Sequence, residues 1–166
     1  MINLSNTFIF DLDRTIWDTY SKYNNPIWAK QMLPPYEFRS GLEVVDDCFS
    51  VCRLHSGVAE FLKLLNESNK SVGFLSRGAL YNEVYTRQPS IKLLELFGIY
   101  DLFNYKKILF YKSNDKGAIL REIVEEKGDC VFIDDMKKDI DSANMVPGVN
   151  VINRYSFNSW EEFLKS

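Results

Sequence analysis

Phe8-Ile9-Phe10-Asp11-Leu12-Asp13-Arg14-Thr15 is an apolar run that ends in two carboxylates and a hydroxyl. Asp11 and Asp13 lie two residues apart, so on a strand they share a side, and at the strand's end their oxygens can converge on one small cation. A buried, unpaired carboxylate is costly, and a metal ion relieves that cost. The stretch therefore reads as the mouth of a site for divalent metal and phosphate. Asp11-x-Asp13-x-Thr15 also matches the opening of an EF-hand calcium loop. That loop needs Gly at its sixth position and Glu at its twelfth, where this chain has Ile16 and Lys22. An acidic surface turn is the remaining alternative, and the rest of the chain weighs against it.

Further short apolar runs recur at Ser71–Leu75, Lys106–Phe110, Cys130–Asp134 and Gly148–Ile152, beside the first at Thr7–Asp11. Each is nearly continuous in its apolar character, as in parallel strands covered on both faces. Helical patterns alternate with them. Val58–Asn69 carries Val58, Phe61, Leu62 and Leu65, and Ile91–Phe97 is closed by Gly98 in an expected C-terminal cap. Asn114–Lys127 shows Ile119, Leu120, Ile123 and Val124 as a stripe, with Ser113, Asn114 and Asp115 as N-cap candidates. Ser159–Leu164 closes the chain as a short helix capped by Asn158 or Ser159. Alternating strands and helices predict an α/β three-layer sandwich around a central parallel sheet.

One segment interrupts the alternation. Residues 18 to about 56 are rich in aromatics and punctuated by Pro34-Pro35 and Gly41. They are expected to form a minimal cap: a short helix near Pro26–Met32, then a β-hairpin flap from about Phe38–Val45 and Phe49–Leu54. Deleting most of residues 22–52 is expected to alter substrate preference while leaving some turnover.

The 166 residues are 46% hydrophobic and carry a net charge of -3. One domain with a full core is expected over 1–166. The charge gives no reason to expect nucleic acid, and no apolar stretch reaches the roughly 18 residues needed to span a bilayer. The N-terminal residues have no signal-peptide character. Cys48, Cys52 and Cys130 form no metal-ligand pattern, so a reducing cytoplasm is the expected compartment.

In open parallel sheets ligands bind at the carboxyl ends of the strands. Those ends carry Asp11 and Asp13 after the first strand and Ser76-Arg77-Gly78 after the second. Lys116 follows the third, and Asp134-Asp135 end the fourth, with Asp139 a helical turn further on. This set resembles the haloacid dehalogenase (HAD) superfamily of phosphohydrolases. Asp11, Asp13 and Thr15 match its first motif, Ser76 its second, Lys116 its third, and Asp134-Asp135 its fourth, over residues 8 to 139. Trp17, the Ser76-Arg77 pair, Leu93-Leu94-Glu95-Leu96-Phe97 and Phe132-Ile133-Asp134-Asp135 make the chain similar to the magnesium-dependent phosphatase-1 family in particular. Gly78 departs from that pattern, standing where a hydroxyl residue is expected.

The resemblance implies a Rossmann-like HAD fold and a Mg²⁺-dependent phosphomonoesterase working through an aspartyl-phosphate. Asp11 would be the nucleophile and Asp13 the general acid and base, a role that needs an Asp pKa raised from its usual value near 3.9. Mg²⁺ would be held by Asp11, the Asp13 carbonyl and Asp134, with Asp135 assisting. Leu12 through its backbone, Thr15, Ser76, Arg77 and Lys116 would bind phosphate or substrate. The substrates implied are phosphorylated small molecules, sugar phosphates among them, or a phosphotyrosine on a protein. Two alternatives stand beside this one. A phosphotransferase would use the same first half-reaction. A receiver-like phosphate-binding module would use a similar residue set, but with the acid pair first and the lysine last, which is not the order here.

Overall fold

A computed structural model describes residues 5–79, 83–111 and 115–166. Its main sheet has five strands: β1 (Thr7–Phe10), β6 (Ser71–Ala79), β7 (Lys107–Tyr111), β8 (Cys130–Asp134) and β9 (Val149–Asn153). They run in the order β7-β6-β1-β8-β9, and every pair is parallel. Five helices accompany them: α1 (Val58–Glu67), α2 (Glu83–Leu96), α3 (Lys116–Lys127), α4 (Lys137–Asn144) and α5 (Trp160–Lys165).

The strand alternation sorts the core into two layers. Phe8 and Phe10 of β1, with Val72, Phe74, Val131 and Ile133, pack in one cluster with Phe61 and Leu62 of α1, Leu93 and Leu94 of α2 and Trp160 of α5. Ile9, Leu75, Cys130 and Phe132 face the other way and pack with Leu120 and Ile123 of α3 and Ala143 of α4. The result is helix, sheet, helix, as the continuous apolar strands predict. Phe61 sits at the centre of the first layer, its ring 6.1 Å from Phe10 and 5.4 Å from Trp160. Burying such a side chain stabilises the fold by roughly 1.5–3 kcal/mol.

After β1 the chain steps outward to β6 and β7, then crosses to β8 and β9 on the far side. The direction of winding therefore changes between β1 and β8, and a crevice forms beyond the carboxyl ends at such a point. Asp11 and Asp134 lie there.

Several boundaries depart from expectation. The second strand continues through Ser76 and Arg77 to Ala79, because β7 pairs with it as far as Ala79 across an irregularity between Arg77 and Ala79. Ser76 and Arg77 are thus strand residues rather than a turn. Helix α2 begins at Glu83 instead of Ile91 and carries Pro89 inside it, giving up one backbone hydrogen bond. Its end is as expected: Gly98 (φ 69°) donates to the Glu95 carbonyl and Ile99 to that of Leu94, closing a Schellman cap. Helix α4 has no counterpart in the sequence reading. At α3 the N-cap is Asp115, whose carboxylate accepts from the Gly117 N–H at 3.1 Å. The candidates Ser113 and Asn114 lie outside the described residues. Ser159 caps α5.

The segment after β1 is more than a hairpin. β2 (Trp17–Tyr20), β3 (Glu37–Ser40), β4 (Glu43–Val45) and β5 (Val51–Leu54) form an antiparallel sheet in the order β2-β5-β4-β3. The expected arm Phe38–Val45 is broken by a turn at Gly41-Leu42, and the expected helix near Pro26–Met32 is a single 3-10 turn at Ala29–Gln31. The sequence carries no strand signal at β2, because Asp18 and Tyr20 interrupt its apolar face. No helix among the described residues is long and apolar enough to cross a membrane.

Candidate functional site

Lys116 opens α3, where a lysine would ordinarily be solvated. Here it is 1% exposed. Its ammonium lies 2.7 Å from Asp11 Oδ1, 2.6 Å from Asp134 Oδ2 and 3.4 Å from Asp139 Oδ2. Burial disfavours its charge, but the Asp11, Asp134 and Asp139 carboxylates outweigh burial and hold its pKa above the usual lysine range. One cation thus draws together the ends of β1 and β8 and the first turn of α4.

Asp134 Oδ1 accepts from the Met136 N–H at 2.8 Å. Burial, then the Asp11 charge, push the Asp134 pKa up to about 8. Asp135 rises to about 6 for the same two reasons. Thr15 reaches both Asp11 (3.4 Å) and Asp135 (3.5 Å) with its hydroxyl, and its N–H closes a turn onto the Leu12 carbonyl. Leu12 itself is fully buried, so its contribution to a ligand would be through backbone alone.

Asp11, Asp134 and Asp135 bring carboxylate oxygens within 4.8 Å of one another. Oxygen donors of this kind suit a hard divalent cation. The charge balance agrees. With all four clustered carboxylates ionised, as a bound cation would favour, Lys116 neutralises one and Arg77 pairs in bidentate fashion with Asp139, leaving two negative charges for the ion. Each carboxylate oxygen bonded to Lys116 keeps a further lone pair for a metal.

Asp13 is set apart from this trio. Its Oδ1 accepts from the Trp17 indole N–H at 3.0 Å and from the Ala29 N–H at 3.0 Å. Burial raises its pKa to about 6, against the lowering effect of the Ala29 hydrogen bond. Two carboxylates two residues apart therefore have different surroundings: Asp11 faces Lys116, and Asp13 is held by groups from the segment after β1.

Asp11, Asp13, Ser76, Arg77 and Lys116 line one cavity of about 130 Å³ together with Trp28, Lys30 and Met136. The structure thus brings the expected residues of all four motifs together. The sequence reading missed three features. Trp17, which enters the motif pattern as an aromatic, also donates its indole N–H to Asp13. The Ala29 amide is a backbone group with no sequence signature. Trp28, Lys30 and Met136 are polar or apolar residues of ordinary character until the fold places them. Asp139, a helical turn beyond Asp134-Asp135, is a buried partner of both Arg77 and Lys116.

No family model matches the chain, and no curated protein matches it. Among solved structures, a presumed phosphatase from Clostridium difficile, determined at 1.7 Å, is similar, with a TM-score of 0.55. The likeness covers 97% of this chain and 90% of the other, at 17% identity. At that identity it shows a shared fold.

Proposed function

We propose that this protein is a Mg²⁺-dependent phosphomonoesterase of haloacid dehalogenase type, similar to the magnesium-dependent phosphatase-1 family. The observation that carries the reading is the contrast between Asp11 and Asp13. Paired titratable groups in contrasting environments are what acid–base division of labour requires. The fold of the Clostridium difficile protein, itself called a presumed phosphatase, points the same way.

In this reading an Asp11 oxygen attacks phosphorus, forming a P–O bond as the bond to the ester oxygen breaks. Asp13, whose protonated form becomes accessible near neutral pH because burial raises its pKa to about 6, gives its proton to the departing oxygen. A water then attacks the aspartyl-phosphate. Asp13, now the base, takes the water's proton, and cleavage of the P–O bond to Asp11 releases inorganic phosphate.

Lys116, Ser76 and backbone N–H groups near Leu12 offer positive charge and donors to the phosphoryl oxygens, where such stabilisation is worth most. Arg77 holds Asp139 and through it steadies Lys116, and it borders the same cavity. Thr15 orients Asp11. Mg²⁺, held by Asp11, Asp134, Asp135 and the Asp13 carbonyl, would neutralise charge on the phosphoryl group. The expected substrates are phosphorylated small molecules or a phosphoprotein side chain.

The test is hydrolysis of p-nitrophenyl phosphate with Mg²⁺ or EDTA by the natural protein, Asp11→Asn and Asp13→Asn. Activity that requires Mg²⁺ and falls at least about a hundredfold in both variants supports the reading. Activity that survives Asp11→Asn removes Asp11 as the nucleophile.

A further inference from the structure

A second cavity, of about 540 Å³, opens beyond the carboxyl end of β9. Arg14, Asp18, His55, Arg154 and Tyr155 are among the residues that line it. Arg154 is buried, with its guanidinium fixed as a platform. Nε donates to the Thr15 carbonyl and Nη1 to the Phe157 carbonyl, both at 3.2 Å, and Cζ lies 4.7 Å from the Phe157 ring centre. Among the described residues it forms no ion pair.

Arg14 is the more telling group. Its φ of 60° puts an L residue in the left-handed region, at a steric cost that glycine would not incur. Its Cζ stacks 4.2 Å from the Trp28 ring centre, and its Nη1 is buried with no hydrogen-bond partner. A buried donor without a partner is costly, and a small shift of the side chain toward an incoming oxygen would satisfy it. Asp18 is the one carboxylate on the wall, and it faces His55 at 3.6 Å. Two guanidinium groups and one carboxylate line the cavity. Arg14 follows Asp13 directly and stacks on Trp28, which lines the candidate active site, so it stands between the two cavities.

We propose that this cavity binds a second anionic group of the substrate, a phosphate or a carboxylate, through Arg14 and Arg154. The word substrate rests on the phosphatase reading; the anion site does not. Bidentate geometry suits guanidinium for either anion.

His55 is the sole histidine of the chain and lines this cavity, so its imidazole C–H signals report occupancy there. Inorganic phosphate is titrated into the metal-free protein at fixed pH, with chloride at matched ionic strength as the control. The expected result is a saturable shift of the His55 signals whose midpoint weakens at least tenfold in Arg14→Gly and in Arg14→Gln. Glycine suits the backbone at this position, and glutamine preserves side-chain length, so one covers for the other if either misfolds. No shift beyond chloride, or the same midpoint in the variants, overturns the site.

The substrate role is read from matched phosphate esters with and without a second anionic group at graded distances from the scissile phosphate. At least one pair should show a tenfold preference in kcat/KM for the dianionic member, lost in Arg14→Gly. Turnover with no preference in any pair overturns that role. No turnover of any ester, with the His55 response intact, removes the phosphatase reading while supporting the anion site.

Discussion

Replacing Lys116 by methionine keeps the length of the side chain and removes the charge that Asp11, Asp134 and Asp139 share. Water cannot take its place readily, since Lys116 is 1% exposed, Asp134 0% and Asp11 6%. Breaking a buried ion pair by removing one partner costs about 3–5 kcal/mol, because the other charge stays behind. For a chain of this length each kcal/mol lowers Tm by about 2–4 °C, so the variant should melt roughly 10 °C below the natural protein at neutral pH.

The loss should depend on pH. Asp134 and Asp135 have folded-state pKa values raised to about 8 and about 6 by burial and the Asp11 charge. A raised carboxyl pKa means the unfolded chain gives up its proton first. Stability therefore falls as pH rises from about 4 and levels off only above the folded value. Without Lys116 those folded values climb further, so the decline is deeper and extends to higher pH. Lys116 itself, with its pKa raised, loses its contribution only in alkali above the ordinary lysine value.

Thermal unfolding followed by circular dichroism at pH 5 and pH 7.5 in EDTA, then with Mg²⁺, tests this. The gap between the proteins should be smaller at pH 5, and Mg²⁺ should narrow it at pH 7.5 by binding the folded state. An equal gap at both pH values, or no gap at all, refutes the charge argument.

With an alkyl phosphate, whose departing oxygen needs a proton, kcat/KM should fall as pH rises past about 6, the value to which burial lifts Asp13. A pH–rate profile flat from 5 to 8 would contradict that role. Trp17→Phe removes one of the two donors on Asp13 Oδ1, worth about 1.5–3 kcal/mol to a charged acceptor. That donor lowers the Asp13 pKa, so without it the fall in alkyl phosphate kcat/KM should move to higher pH; an unmoved profile would reduce Trp17 to packing. Asp115→Ala removes the N-cap of α3 and should cost about 1 kcal/mol, or about 2–4 °C in Tm. An unchanged Tm would show that α3 starts without help from its cap.

What was legible in the sequence follows from which interactions are local. The five parallel strands are short apolar runs, and such runs identify themselves because both faces are covered by helices. The Gly98 cap and the α1 and α3 stripes are likewise properties of a few consecutive residues. The motif residues were legible because their order and types along the chain resemble the haloacid dehalogenase pattern. Other features depend on partners far along the chain. β6 extends to Ala79 because β7 lies beside it, and β2 exists because Trp17–Tyr20 finds Val51–Leu54 in antiparallel register. α4 is short, and its polar face, Lys137, Lys138 and Asp141, obscures the buried Asp139 and Ala143.

The segment after β1 shows why the second kind of feature bears on chemistry. Read as a flap over the entrance, it would govern which substrates enter and little else. In the structure Trp17 and Ala29 supply both donors that hold Asp13 Oδ1, and Ala29 is buried where the 3-10 turn meets the core. Trp28, the next residue back, carries the Arg14 guanidinium on its ring. The same few residues therefore set the position of the proposed acid, wall the small cavity at Asp11 and steady the cation facing the larger one. Removing residues 22–52 takes away the Ala29 amide along with the entrance, so the deletion bears on leaving-group protonation as well as on preference. The proposed catalytic pair, two residues apart, can be read from the sequence. The difference in environment on which the proposed division of labour rests is built by a turn sixteen residues further on.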